Sequence, residues 1–166
     1  SGIVDSLARP GGNITGLATL SRDLSAKRLE LLTEAVPRLS RVGVLWNADE
    51  SSRDVYFKEY ETAARALKVE LQSLEVRGPN PDLQGAFQTA AKRRTNGLIT
   101  ITSAALFLQR KRIADLAIRN RLPSMYQGSA WVEDGGLMSY SADDLEAFRR
   151  AATYVDKILK GTKPAD

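Results

Sequence analysis

Residues 97 to 102 read Gly97-Leu98-Ile99-Thr100-Ile101-Thr102 and lead directly into Ser103. A short, nearly uninterrupted run of apolar and β-branched residues is typical of a strand that is covered on both faces, as in the middle of a parallel sheet. A second run of this kind, at 41 to 46, leads into Asn47. We therefore expect a parallel sheet with the strand at 97 at its centre.

Helical patterns alternate with these strands along most of the chain. Strands are predicted at 41 to 46, 69 to 76, 97 to 102, 122 to 126 and 136 to 141, and helices at about 21 to 39, 53 to 67, 81 onward, 105 to 121 and 142 to 160. This alternation predicts an α/β fold, a doubly wound, mainly parallel five-stranded sheet flanked by helices. The strand at 69 to 76 has the partial alternation of an edge strand, so the expected order, counted from the strand at 41, is 2-1-3-4-5.

Several helix ends carry recognisable capping signals. Asn80, Pro81 and Asp82 come in the order of a cap, a first-turn proline and a first-turn acid. Ser141 and Asp144 have capping-box spacing. Gly161 stands where a helix commonly ends in a left-handed residue.

The sequence predicts one main domain with short additions at both ends. Its 166 residues are of ordinary length for a single domain. Residues 1 to 20 do not join the alternating pattern and contain an isolated strand at 14 to 20. The predicted organisation is a remnant of a preceding lobe with its hinge at 1 to 20, an α/β ligand-binding lobe at 21 to 161, and an exit at 162 to 166. We expect the chain to be a piece of a larger protein.

Composition excludes several kinds of chemistry. The chain has no histidine and no cysteine, which excludes thiolate and imidazole zinc sites and a Ser-His-Asp triad. The net charge of +4 is modest, and the basic runs at 92 to 94 and 110 to 112 are interpreted as solvated helix faces, so no nucleic-acid partner is expected. The glycines at 11 to 16 lack the lysine of a phosphate loop. We expect no catalysis, no metal and no cofactor, and we expect neither a signal peptide nor a membrane-spanning stretch within these residues.

Hydroxyl and amide side chains follow the predicted strands at the ends where ligands bind in open α/β sheets. Small polar residues there can hold a carboxylate or an amide group, and a tyrosine can stack on a ligand or donate a hydrogen bond to it. The predicted ligand-facing residues are Asn47, Ser51, Ser52, Ser103, Tyr126 and Tyr140.

Parts of the sequence resemble a family of ABC transporter substrate-binding proteins. Residues 6 to 16 read Ser-Leu-Ala-Arg-Pro-Gly-Gly-Asn-Ile-Thr-Gly and are similar to the signature that precedes the second lobe in that family. The blocks at 27 to 32, 41 to 47 and 122 to 126 are similar to later blocks of it. The resemblance covers nearly the whole chain.

This resemblance implies a type I periplasmic binding protein fold, of which the chain would be one flavodoxin-like lobe. It also implies that the intact protein binds a small solute, such as an amino acid and in some members an aromatic one, in a cleft between two lobes. The implied partner is an ABC permease in the membrane, and the implied location is the periplasm or a cell-surface lipoprotein.

Self-association of the chain is expected as well, because an isolated strand exposes unpaired backbone groups.

Two alternative functions remain open at this point. The same lobe fold occurs in effector domains of lactose-repressor-type transcription regulators, which would need a helix-turn-helix elsewhere. An enzyme of flavodoxin-like or Rossmann type would need a bound nucleotide or flavin, which the glycine pattern does not predict.

Overall fold

A computed structural model describes residues 11–17, 24–50 and 53–164. The chain divides into two compact units, one comprising Ser1–Leu20 with Ala142–Asp166 and the other comprising Ser21–Ser141. The first boundary falls near the predicted one at residue 20. The second falls at 141 and not at 161, so the last helix groups with the N-terminal segment. That these units correspond to the predicted lobe and remnant stays a prediction.

The Ser21–Ser141 unit contains five strands and six helices within its described residues. Their order is α1 (Ser25–Ala35), β1 (Arg41–Asn47), α2 (Arg53–Leu67), β2 (Glu70–Val76), α3 (Leu83–Lys92), β3 (Gly97–Thr100), α4 (Ala104–Leu108), α5 (Arg110–Arg119), β4 (Ser124–Tyr126), α6 (Ser129–Glu133) and β5 (Met138–Ser139). The other unit carries α7 (Asp144–Leu159). None of the helices in the described ranges combines the length and hydropathy needed to span a membrane.

The strand order is β2-β1-β3-β4-β5, and every neighbouring pair is parallel. The predicted doubly wound α/β fold is therefore confirmed, with β3 central and β2 at an edge. All four residues of β3 are buried, whereas β2 alternates between exposed and buried positions along most of its length. Hydrophobic continuity thus identified the centre of the sheet correctly.

Two apolar clusters cover the two faces of the sheet. One contains Leu45 and Leu98 with side chains of α3 and α5, and the other contains Val44 and Ile99 with side chains of α1 and α2. Neighbouring residues of a strand point to opposite faces, which is why Val44 and Leu45 belong to different clusters. A sheet covered by helices on both faces leaves its strand ends as the places where polar groups collect.

Four turns that connect a helix to the next strand contain a basic residue in the left-handed region. Arg38 has φ +70°, Lys68 +56°, Arg94 +54° and Arg121 +54°. They lie before β1, β2, β3 and β4 respectively, at the amino ends of the strands. Residues other than glycine rarely adopt this backbone conformation. The surrounding fold therefore keeps each of these residues in a conformation that it does not favour by itself.

Two predicted helix starts were wrong in detail. The side chain of Asp82, and not that of Asn80, caps α3, because its Oδ1 accepts a hydrogen bond from the Gly85 N–H at 3.0 Å. The cap of α7 is Asp143 in place of Ser141, since Asp143 Oδ1 accepts from the Glu146 N–H at 3.1 Å. Gly161, with φ +99°, does end α7 as predicted.

The structure differs from the prediction in four further places. The helix expected at 105 to 121 is two helices, because Gln109 has φ −100° and ψ +10° and ends α4 before α5 begins. The loop expected between the last two strands contains α6, and β5 is shorter than 136 to 141. The expected strand at 14 to 20 has no strand assignment over 14 to 17, and its remainder lies outside the described residues.

Candidate functional site

The carboxyl ends of the five parallel strands lie along one edge of the sheet, which we call the carboxyl edge. Asn47 is the last residue of β1, Ser103 follows β3, Tyr126 ends β4 and Tyr140 follows β5. The structure therefore brings four of the six predicted residues to this edge. Ser51 and Ser52 lie outside the described residues.

Asn47 connects the loops that follow β1 and β2. Its Nδ2 donates to the Gly78 carbonyl oxygen at 3.1 Å, and its Oδ1 accepts from the Asp49 N–H at 3.0 Å. The Asp49 carboxylate in turn accepts from the Gly78 N–H at 2.7 Å. Asn47 is itself buried. Because its side chain is bonded to both loops, its observed role is to hold them together.

A second connection joins the ends of β3 and β4. The Gln127 Oε1 accepts from the Thr102 N–H at 3.1 Å. The remaining polar atoms of this pair, Gln127 Nε2 and Thr102 Oγ1, are buried without a hydrogen-bond partner among the described residues. Ser103 caps α4 by accepting from the Leu106 N–H at 3.3 Å, and its hydroxyl proton is not used by that bond. This part of the edge therefore has polar atoms that could form hydrogen bonds with a ligand.

Tyr126 points into the apolar core and away from the edge. Its ring stacks on Trp131, with centroids 4.7 Å apart and planes 13° from parallel, and the side chain has no exposed surface. Burial raises the pKa of its hydroxyl, against a smaller opposing effect of Ser124. Tyr126 thus occupies the expected strand end, but its observed contacts are those of a core residue.

Tyr140 is the exposed aromatic residue among the predicted set, with 37% of its surface accessible. Its N–H donates to the Tyr126 carbonyl oxygen at 3.1 Å, and its own carbonyl oxygen accepts from Arg28 Nε at 2.7 Å. The backbone is thereby fixed on both sides while the ring remains accessible. This geometry suits a side chain that contacts a ligand.

A buried polar cluster, made of Ser25, Arg28, Tyr60 and Gln127, was not predicted from the sequence. The Tyr60 pKa is raised by burial, and the opposing effects of Arg28, Gln127 and Ser25 show that these groups lie near its hydroxyl. No partner with hydrogen-bond geometry is found for Tyr60 OH or Ser25 Oγ within the described ranges. The spacing of Tyr60 within α2 is that of an apolar stripe, so no sequence pattern indicates this polar contact.

A surface groove of about 600 Å³ lies beside β2 and α3 and includes Ser73 and Glu75 in its lining. The charged side chains of its lining already have partners: Arg77 pairs with Glu75, Asp82 accepts from the Gly85 N–H, and Arg93 donates to the Ser73 carbonyl oxygen. It lies along the outer edge strand, whereas Thr102 Oγ1 and Gln127 Nε2, which have no partner among the described residues, lie at the ends of β3 and β4. We therefore assign the candidate site to the carboxyl edge.

The chemistry available at this edge is that of binding. Hydroxyls, amides and one exposed aromatic ring are present, and no group of three or more acidic residues in the described part of the chain could hold a metal ion. The chain contains no histidine or cysteine to act as a base or nucleophile. The edge can recognise a polar or aromatic molecule.

Comparison with known proteins identifies the family. The model of the ABC transporter substrate binding protein family matches residues 1–166. The chain belongs to this family. Its members are solute-binding proteins and not enzymes, in agreement with the expected absence of catalysis. The match favours this family over both alternatives, the lactose-repressor-type regulator and the flavodoxin-like or Rossmann enzyme.

Relatives within and around the family share the fold. A tyrosine-binding protein of Clostridioides difficile (strain R20291) is 23% identical over 167 residues, which cover 100% of this chain and 47% of the relative. A conserved domain protein from Vibrio cholerae has a TM-score of 0.84 at 24% identity, covering 98% of this chain and 54% of that one. An ABC domain of a Streptococcus pneumoniae protein, solved with L-Trp, has a TM-score of 0.78 at 21% identity, covering 99% and 54%. The chain spans about half the length of these three proteins.

Proposed function

We propose that this chain is one lobe of the solute-binding component of an ABC importer and that its carboxyl edge forms one wall of the binding cleft. The observation that carries the proposal is the collection of hydroxyl and amide groups at the ends of β3 and β4, in a family of solute-binding proteins. Ligands of open α/β sheets bind outside the carboxyl ends of the strands. Binding without turnover is what such a set of groups can support.

The proposed solute is a small molecule of the amino-acid class, and an aromatic amino acid is the leading candidate. Support comes from the names of two relatives, one called tyrosine-binding and one solved with L-Trp. The exposed ring of Tyr140 suits an aromatic partner, because offset or edge-to-face ring pairs contribute about 0.5–1.5 kcal/mol beyond burial. Polar groups at the edge suit the carboxylate and the ammonium group.

The proposed ligand-facing residues are those predicted from the sequence, with two additions. Asn47, Ser51, Ser52, Ser103, Tyr126 and Tyr140 remain the predicted set, and Thr102 and Gln127 join it because each has a polar atom without a partner in the described part of the chain. Within the set, Tyr140 is exposed, whereas Asn47 and Tyr126 are buried. We therefore expect the Tyr140 ring to contact the solute, with Asn47 holding its loop and Tyr126 acting through its packing in the core. Ser103, which is also buried, would contact the solute through the hydroxyl proton that its cap bond does not use. Ser51 and Ser52 are proposed from their place after β1 in the sequence alone.

The proposal extends to partners and location. The solute-loaded protein would deliver its cargo to an ABC permease, from the periplasm or as a cell-surface lipoprotein. No nucleic acid takes part.

We also propose that the chain on its own associates with a second copy. Apolar residues with spacings of three and four line one side of α7, and the larger ones are more than half exposed: Leu145, Phe148, Val155 and Leu159.

Calorimetry with L-tyrosine, L-tryptophan and a non-aromatic amino acid tests the proposal. If half of a micromolar binding free energy of about 8 kcal/mol came from each lobe, this chain alone would bind only near the millimolar range. We expect weak or no binding by the chain and micromolar binding by a longer protein that contains both lobes. In that protein, Tyr140→Ala should weaken binding, whereas Tyr154→Ala on α7 is a control.

Two outcomes would refute the proposal. Micromolar binding by this chain alone would contradict the shared cleft, and turnover of any substrate would contradict the binding function. If the longer protein binds none of the amino acids, the proposed solute class is wrong.

Sedimentation of the chain at a series of concentrations tests self-association, and a strict monomer at about 1 mM would contradict it.

A further inference from the structure

Arg28 is a fully buried arginine in the first turn of α1. Its Nε donates to the Tyr140 carbonyl oxygen at 2.7 Å, across 112 positions of sequence. An arginine stays charged at any physiological pH, and burying its guanidinium is costly unless hydrogen bonds compensate for the lost water. Among its contacts, the bond to a backbone carbonyl so far along the chain ties α1 to the residue that follows β5.

The two bonded residues flank the places where the chain passes between its compact units. The unit Ser21–Ser141 is entered shortly before Arg28 and left directly after Tyr140. Both residues belong to this unit, and their hydrogen bond therefore joins its entry and its exit. Other long-range bonds at the carboxyl edge, such as those of Asn47 and Gln127, connect one loop to its neighbour.

The Tyr140 backbone has two fixed points. Its N–H is bonded to the Tyr126 carbonyl oxygen, which continues the pairing of β4 with β5. Its carbonyl is bonded to Arg28. Because β5 has only two residues, the ladder alone contributes few bonds at this end of the sheet.

We propose that Arg28 is a positioning residue for solute binding, which acts by fixing the Tyr140 backbone and so the direction of its exposed ring at the carboxyl edge. This role rests on the proposed function, since it presumes that Tyr140 faces the solute. The guanidinium is suited to the task because its planar fork holds a fixed direction, whereas a lysine ammonium is a mobile point charge. Positioned rings lose less freedom on binding than mobile ones.

Hydrogen exchange of individual amides tests the positioning without any ligand. In Arg28→Lys we expect the Tyr140 amide to exchange about tenfold faster, because loss of the hydrogen bond to the Tyr140 carbonyl oxygen loosens the backbone whose N–H is bonded to Tyr126. The Ile101 amide, which is bonded to the Leu45 carbonyl oxygen in the middle of the sheet, is the reference for global opening. Arg41→Lys is the matched control, since Arg41 is partly exposed and pairs with Glu70 on the surface.

A measurement on the unaltered chain covers the case in which Arg28→Lys does not fold. NMR should detect a slowly exchanging Arg28 Nε–H and a scalar coupling across the hydrogen bond to the Tyr140 carbonyl carbon. Loss of protection confined to Tyr140 supports the positioning role. Equal loss at Tyr140 and Ile101, no loss at either, or a rapidly exchanging Nε–H with no coupling would overturn it.

Solute binding by the longer protein is the second part of the test. We expect Arg28→Lys to weaken the affinity about tenfold, through faster dissociation, with Arg41→Lys unchanged. If Tyr140 is loosened while the affinity stays the same, Arg28 does not position the binding residue. If the unaltered protein binds no amino acid, the proposed function fails, and the exchange result still decides whether Arg28 fixes Tyr140.

Discussion

Replacing Tyr126 separates a core role from a ligand-binding role. The ring is buried and stacks on Trp131, and Gly136 lies so close that a Cβ built there would be 2.6 Å from Tyr126 Cε2. A cavity left by Tyr126→Ala would be bounded by these groups, which cannot collapse far. Truncation of a large buried aromatic residue costs about 3–5 kcal/mol, and the lost ring stacking is part of that cost. We expect the free energy of unfolding to fall by about 4 kcal/mol.

Tyr126→Phe gives the opposite expectation. The hydroxyl is buried without a hydrogen-bond partner in the described part of the chain, and a buried unsatisfied polar group costs about 1–3 kcal/mol. Its removal should therefore leave stability unchanged or raise it by about 1 kcal/mol. Solute affinity of the longer protein should not change.

Urea unfolding followed by circular dichroism measures both variants, with the midpoint read at constant slope. Tyr154→Ala, which removes a partly exposed tyrosine from α7, is the control and should cost far less than Tyr126→Ala. The core assignment would be refuted by a Tyr126→Phe protein of normal stability whose solute affinity falls more than about tenfold, since the hydroxyl would then contact the solute.

Two further predictions concern capping and pH. Asp82→Ala should lower the free energy of unfolding by about 1 kcal/mol through loss of the bond from the Gly85 N–H, whereas Asn80→Ala should not; equal losses in urea titrations would show that the observed cap is not the one that matters. Burial raises the pKa of Tyr60 above its ordinary 10.0, so above pH 10 the unfolded chain loses a proton that the folded chain keeps, and stability falls as the pH rises. The fall between roughly pH 8 and pH 11 should be smaller in Tyr60→Phe than in the unaltered chain or in Tyr154→Phe, and an unchanged fall would contradict the assignment.

The sheet could be predicted because its signal is carried by continuous runs of residues. The apolar run at 97 to 100 and the alternation at 70 to 76 report burial on two faces or on one. The caps were less predictable, since Asn80 and Asp82 are both good N-cap residues and only the geometry distinguishes them. The break at Gln109 has no glycine or proline to indicate it.

The candidate site was predictable in location but not in detail. The ends of the predicted strands indicated the carboxyl edge. All three residues of β4 are buried, however, so the strand has no alternation of polar and apolar residues that would show which way Tyr126 points. The contacts of Asn47 with Gly78 and of Arg28 with Tyr140 join residues 31 and 112 positions apart. Such distant partners leave no periodic trace in a single sequence.

The basic residues in left-handed turns bear on how readily this protein can change. Each of Arg38, Lys68, Arg94 and Arg121 holds a conformation that costs a side chain roughly 1–2 kcal/mol and costs glycine almost nothing. All four lie at the amino ends of the strands, opposite the carboxyl edge. Glycine replacements at these positions would raise the free energy of unfolding without changing the carboxyl edge. The gain would offset the cost of destabilising changes at that edge. Such replacements would leave the proposed ligand-facing residues unchanged.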